Sequence, residues 1–336
     1  MIGVVFGTRA EWIKVKPVID EMLAAEMAFE LIFTGQHVDL VTVPEVYKGY
    51  LKNIWEIKSS DNRLNKIISS VMENFETIND LENYEGIIVQ GDTTSALACA
   101  IAAFNSGIKV IHLEAGLRTG NPEHPFPEEA NRKMIASLAT LHLAPTILAR
   151  QNLLIENINP SAIKVVGNTV LDNIRGTKIT DKANVLITMH RSENLRIMKE
   201  WFLEIEELAI ENSELKFILP AHPNPVVTKN KNILKSVLVV EPMEHDELIE
   251  CLSSCRYVIT DSGGIQEEAS FLRKPTMVCR QTTERSEGLD NFSLLCHRPQ
   301  DVKEIFGLLP ELKMCGESPY GDGRSAVKVV NEIKKI

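Results

Sequence analysis

Tyr257-Val258-Ile259-Thr260-Asp261-Ser262-Gly263-Gly264-Ile265-Gln266-Glu267-Glu268 runs from a β-branched strand through a pair of glycines into a helical pattern, and that order decides the fold. The same alternation of short β-branched runs with longer helical ones recurs on both sides of it, as βα units and a parallel sheet require. Strands are expected upstream at residues 237–240, 216–219 and 185–189, and downstream at 276–278. An earlier series reads at 2–6, 29–34, 86–89, 109–113, 141–144 and 163–166. Two series imply two sheets, and the 336 residues exceed the roughly 250–300 at which one hydrophobic core stops growing. The expected fold class is α/β, with two doubly wound Rossmann-like domains. The break between them falls within residues 167–181, where a short helical stretch separates the series. A polar segment, 316–323, precedes a last amphipathic helix from Ser325 that could pack on either half.

With 36 Lys plus Arg against 46 Asp plus Glu, the net charge of −10 disfavours nucleic acid as a partner. Strand-like hydrophobicity from Ile2 leaves no room for a secretory signal, and no apolar run approaches the ~20 residues of a membrane-spanning helix. A cytoplasmic protein with no membrane partner is expected. Cys99, Cys251, Cys255, Cys279, Cys296 and Cys315 form no CxxC pair, so reduced, mostly packed thiols are expected rather than a metal site or disulfide framework.

Ligands of open α/β sheets bind outside the carboxyl ends of the strands, so the segments that follow strands are the candidates for function. In the opening stretch, Ser262, Gly263 and Gly264 can present a hydroxyl and backbone N–H groups to a phosphate at a helix start, and Glu268, one turn on, can accept ribose hydroxyls. The bland alternative is that the glycines only make a turn while Glu267 and Glu268 favour the helix dipole. Gly7-Thr8-Arg9-Ala10-Glu11-Trp12-Ile13-Lys14 also follows a strand, with Arg9 and Lys14 as neutralising cations; a plain βα turn explains it about equally well. Asp92 in Gly91-Asp92-Thr93-Thr94-Ser95 could be a helix N-cap. Glu114, in His112-Leu113-Glu114-Ala115-Gly116, and Glu128, after Pro125-Phe126-Pro127, are delivered with Asp92 towards one sheet edge. Clustered carboxylates can divide acid and base roles, whereas on its own Glu128 with Glu129 would read as ion pairing to Arg132. His190, beside Arg191 at a strand end, suits a phosphate leaving group, while Gln36, His37 and His222 read as structure or function with equal weight. No HExxH, DxD or GxSxG is found, so no metal is expected.

Taken together these segments resemble the non-hydrolysing UDP-N-acetylglucosamine 2-epimerase family. GTRxExIK, TGQH, GDTTS, EAGLRTG, PFPEEANR, GNTVLD, MHRxEN, TDSGGIQEEA and TTERxEG occur in the family's order from Gly7 to Gly288, and GESPYGDG extends the likeness towards the C-terminus. The resemblance implies the fold of GT-B glycosyltransferases, with an active site in an interdomain cleft. The implied division is residues 1–168 with the last helix 322–336, carrying the carboxylates, and residues 169–321, binding UDP. It implies acid/base roles for Asp92, Glu114 and Glu128, a catalytic histidine at His190, diphosphate contacts from Arg9, Ser262, Gly263 and Gly264, and a ribose carboxylate at Glu268. Some members bind a second UDP-GlcNAc as activator near positions matching Gln36, Arg63 and His222; Val38-Asp39 stands here where regulated members often carry glutamine. Ala10 and Ser286 replace prolines usual in the family. A homodimer is implied.

The implied reaction interconverts UDP-GlcNAc and UDP-ManNAc. The C2 hydrogen of an N-acetylhexosamine is not beside a carbonyl, so its removal needs either transient oxidation or expulsion of UDP from C1. No dinucleotide fingerprint is present, so no cofactor is expected and elimination is favoured. Rival readings are a hydrolysing 2-epimerase releasing ManNAc and UDP, a glycosyltransferase, and a nucleotide-sugar-binding regulator. Thr93-Thr94 favours the non-hydrolysing branch, since hydrolysing relatives typically carry GDR there.

Overall fold

The computed structural model describes residues 1–36, 43–55, 57 and 64–336. The chain divides into two compact units, Met1–Asn173 with Gly323–Ile336, and Ile174–Asp322.

In the first unit the strands are β1 (Ile2–Phe6), β2 (Phe29–Phe33), β3 (Leu51–Ile54), β4 (Gly86–Gln90), β5 (Lys109–Leu113), β6 (Leu141–Ala144) and β7 (Ile163–Val165). Its helices are α1 (Arg9–Ala24), α2 (Glu45–Lys48), α3 (Leu64–Phe75), α4 (Thr94–Asn105), α5 (Glu128–Leu138) and α6 (Ile147–Ile155). The strands form one parallel sheet in the order β3-β2-β1-β4-β5-β6-β7. Successive side chains of β1 point to opposite faces, and both faces are covered. Val4 and Phe6 pack with Trp12, Val15, Ile19 and Met22 of α1, while Val5 packs with Ile67 and Val71 of α3 and the alanines of α4.

The second unit holds β8 (Asn184–Thr188), β9 (Lys216–Pro220), β10 (Leu238–Val240), β11 (Tyr257–Thr260), β12 (Thr276–Cys279) and β13 (Ser293–Cys296). Its helices are α7 (Ser192–Leu195), α8 (Met198–Glu211), α9 (Pro225–Asn230), α10 (His245–Ser254), α11 (Gly263–Phe271) and α12 (Val302–Leu308). Their sheet is also parallel, ordered β10-β9-β8-β11-β12-β13, and its core centres on Trp201, Phe202 and Phe217. The last helix, α13 (Ser325–Ile333), belongs to the first unit, where Ala326, Val329, Val330 and Ile333 join the core against α1. Both Asp172 carboxylate oxygens cap its start, accepting the N–H groups of Ser325 (3.0 Å) and Ala326 (2.8 Å).

Both orders are doubly wound, and each has its reversal point between the first strand of its series and the fourth. In the first unit that point lies between β1 and β4, so Gly7 and Asp92 flank it. In the second it lies between β8 and β11, flanked by His190 and Ser262. Among the described residues no helix is long and apolar enough to cross a membrane.

His112 on β5 and His142 on β6 are register partners, 0% and 1% exposed, and burial pushes each imidazole down to about 4. Their folded pKa values lie below the unfolded 6.5, so the unfolded chain takes up protons first and stability falls as pH drops from 6.5 towards 4. Each group is expected to remove roughly 3 kcal/mol over that window. His142→Gln should flatten the acid limb by the share of this one ring, read as urea midpoints at pH 7 and pH 4.5; an unchanged difference would show that His142 does not contribute to acid stability.

Candidate active site

The first unit builds a carboxylate site on three βα turns. At the end of β1, Thr8 caps α1 and Glu11 completes a capping box. Glu11 is buried and does more than cap. Its Oε2 accepts the N–H groups of Gly7 (2.7 Å) and Thr8 (2.8 Å), and its Oε1 accepts the Thr93 hydroxyl (2.6 Å), tying the β1 turn to the β4 turn. Burial raises its pKa and these hydrogen bonds oppose the rise. A Cβ on Gly7 would lie 1.9 Å from the Thr34 hydroxyl oxygen, so a larger residue here would force Thr34 or the turn to shift. Arg9 is the first residue of α1, half-buried.

After β4 the cap of α4 is Thr93, whose hydroxyl accepts from Ala96 N–H, and not Asp92. Asp92 is instead held from α5: Arg132 lies 2.6 Å from its Oδ2, and Asn131 donates to its carbonyl at 2.8 Å. Arg132 also contacts Glu129, the buried neighbour of Glu128. Glu128 itself opens α5. Beyond β5, Glu114 is 9% exposed and takes a left-handed backbone, φ +67°. Lys14 Nζ sits 2.6 and 2.7 Å from its two oxygens, Gln90 donates to Oε2 at 2.6 Å and Asn168 to Oε1 at 3.0 Å. Lys14, read from sequence as a cation for a bound anion, thus has its ammonium on a carboxylate. A Cβ on Gly91 would lie 3.5 Å from Glu114 Oε2, so the Asp92 turn and Glu114 are neighbours. His112 Nε2, 2.8 Å from the Gly91 carbonyl, braces that turn. Gln36 accepts from Ser95 at 2.7 Å, alongside Thr93. His37 and Arg63 lie outside the described residues.

In the second unit Asp261 joins two turns. Fully buried, it accepts the His190 N–H on both oxygens (3.1 and 3.0 Å), and on Oδ2 the Arg191 N–H (3.0 Å) and the Asn194 amide (3.0 Å). His190 stacks on His222 at 4.9 Å and 13°. Burial lowers the pKa of both imidazoles, and the Asp261 charge opposes this. His222 Nδ1 accepts the Asn224 N–H, which places its proton on Nε2.

The two glycines at the start of α11 have different reasons to be there. A Cβ on Gly263 would meet the Arg285 guanidinium at 2.8 Å, whereas on Gly264 it would meet only the Ser262 hydroxyl, at 4.0 Å. Arg285 is held by Glu267 at 2.8 Å and by Glu284, and Glu284 also takes Arg280 at 2.8 Å. Neither Glu267 nor Glu268 therefore serves merely as a dipole charge: Glu267 pairs with Arg285, and Glu268 meets His245 at 2.9 Å. The Ser262 hydroxyl makes no cap bond. Gly263→Ala should destabilise the second unit by about 1–3 kcal/mol through overpacking. Gly264→Ala should leave the melting temperature unchanged or higher, since its Cβ would have room, and thermal melts of the two variants separate the two roles. Equal melts for both variants would contradict this division.

Sequence reasoning missed Glu11, Asp261, Asn194 and His245. The Thr8-x-x-Glu11 spacing is a capping-box signal that could have found Glu11; Asp261 and His245 act through partners distant in sequence, which no local pattern marks.

Two doubly wound parallel sheets, each with candidate residues at its reversal point, define a GT-B-like α/β protein. The galactosyltransferase WaaB shares this fold at TM-score 0.60 and 14% identity, covering 100% of this chain and 99% of that one, a likeness of fold alone. The chain belongs to the UDP-N-acetylglucosamine 2-epimerase family, whose model matches residues 21–334. The UDP-N-acetylglucosamine 2-epimerase of Salmonella borreze is 34% identical over 367 residues, spanning 97% of this chain and 96% of that protein. The Neisseria meningitidis UDP-GlcNAc 2-epimerase, solved bound to UDP-GlcNAc, is 31% identical with TM-score 0.88 over 100% of both chains.

Proposed function

We propose that this protein interconverts UDP-GlcNAc and UDP-ManNAc without hydrolysis, by eliminating UDP and adding it back. One carboxylate takes the C2 proton, the C–H electron pair forms the C1=C2 bond, and the C1–O bond breaks with its pair going to the β-phosphate oxygen. The bound products are 2-acetamidoglucal and UDP. Re-addition of UDP at C1 with protonation of C2 from the opposite face gives the epimer. Asp92, Glu114 and Glu128 supply the acid and base, and Arg9, His190 and the Ser262-Gly263-Gly264 turn take up the charge that develops on the diphosphate. Glu268 accepts the ribose hydroxyls.

The observation that carries this reading is that the Asp92 turn neighbours Glu114 and that each carboxylate is held by a cation, Arg132 for Asp92 and Lys14 for Glu114, in a chain of this family. Fixed partners hold each carboxylate in one orientation, which positioned proton transfer requires. His190 keeps 35% of its side chain open and is held towards the neutral form; an arriving phosphate would oppose that effect and favour the imidazolium. On the same reading the protein works as a cytoplasmic homodimer.

Incubation with UDP-GlcNAc in D2O, followed by NMR, tests the reaction. Deuterium at C2 with the UDP linkage intact supports epimerisation. Free ManNAc would mean hydrolysis, and an unchanged spectrum would leave transfer or binding as the activity.

A further inference from the structure

His245 is the first residue of α10, a helix already capped without it: the Glu244 and Glu247 side chains close a capping box, with Glu247 Oε2 3.0 Å from the Glu244 N–H. The imidazole is therefore not needed at its own helix start. It reaches α11 instead, where Nε2 lies 2.9 Å from Glu268 Oε1, and the two side chains are 17% and 4% exposed. A carboxylate only accepts, so Nε2 carries the proton, while Nδ1 faces exposed Asp246 at 3.9 Å. Glu268 stands four residues beyond Gly264 and so shares its helix face. A carboxylate offers about four acceptor positions, and His245 takes up one of them.

We propose that His245 is a positioning residue for the nucleotide: it holds the Glu268 carboxylate on the side of α11 that carries Gly264, oriented to receive a vicinal diol. This rests on the reading that Glu268 binds the ribose of a uridine nucleotide. A glutamate left to rotate would have to be ordered on each binding event; one already tied at Oε1 has given up that freedom on folding. Because the tie acts equally on ground and transition states, its loss raises KM and leaves kcat in place.

The test is a cycle of ligand and variant, using calorimetric titration of UDP and of 2′,3′-dideoxyuridine 5′-diphosphate against the full-length protein. Wild type is expected to prefer UDP. His245→Leu should lose about tenfold of that preference, on the scale of a hydrogen bond to a charged group, with little change in affinity for the dideoxy ligand. His245→Gln, which keeps a donor of similar reach, should recover most of it. The split between KM and kcat is the second readout. If Glu268→Gln abolishes the preference and His245→Leu keeps it, Glu268 binds the ribose unaided and the positioning role is overturned. If wild type itself shows no preference, the ribose reading of Glu268 fails and the proposal falls with it.

Discussion

Asp261→Ala is expected to destabilise the second unit by roughly 3 kcal/mol or more, because it strands three donors at about 1–3 kcal/mol for each that is buried. The carboxylate is fully buried and is the shared acceptor for the backbone N–H groups of His190 and Arg191 and for the Asn194 amide. Alanine leaves those donors facing a void. The damage should spread, because Asn194 also donates to the Cys279 carbonyl at 2.8 Å and accepts from buried Trp201 at 3.1 Å. Hydrogen exchange should therefore quicken at β8 and around Trp201 and leave the first unit as it was. Asp261→Asn separates shape from charge. Its remaining oxygen can occupy the Oδ2 place, where three of the contacts converge, so it should be destabilised far less. It nonetheless loses the negative charge that opposes burial at His190 and His222, and both imidazoles should titrate lower in NMR. A loss below about 1 kcal/mol for Asp261→Ala, the size of one ordinary hydrogen bond, would contradict the account.

The alternation around Tyr257–Thr260 was enough to read a parallel α/β fold in two series, because buried parallel strands are β-branched and continuous. Among the described residues two strands escaped it. Leu51–Ile54 alternates half-buried with exposed residues at the sheet edge, and Ser293–Cys296 has no β-branched residue. Their pairing comes from neighbouring strands rather than from propensity. At the site, residues following strands could be located from sequence, because the reversal point of a doubly wound sheet gathers them. Their partners could not. Glu114 takes hydrogen bonds from Lys14, Gln90 and Asn168, three segments that only the folded sheet brings together. The same holds for the glycine pair, which reads as one device in sequence. In the fold Gly263 makes room for Arg285, whereas a Cβ on Gly264 would meet nothing nearer than the Ser262 hydroxyl at 4.0 Å.

Glu114→Gln is expected to lower turnover by about 10²–10⁴, the contribution of a positioned acid or base. The amide is nearly isosteric, but it must turn an NH2 group towards donors on either side: Lys14 contacts both oxygens, Gln90 donates to one and Asn168 to the other. Stability should therefore fall as well, and a fall in rate alone would not distinguish lost chemistry from a disturbed site. The left-handed backbone at Glu114, φ +67°, sharpens the question, since holding a non-glycine residue there costs about 1–3 kcal/mol and needs a compensating interaction. If the carboxylate serves only as counter-ion to Lys14, then Lys14→Met combined with Glu114→Gln should restore stability and turnover together. If it moves the C2 proton, the double variant should recover stability through removal of the uncompensated ammonium while turnover and deuterium uptake at C2 stay lost. Interaction energies between contacting residues are commonly about 0.5–3 kcal/mol, so the stability arm of this cycle lies within reach of urea titration. Recovery of deuterium uptake in the double variant would remove Glu114 from the chemistry and leave Asp92 and Glu128 to divide it.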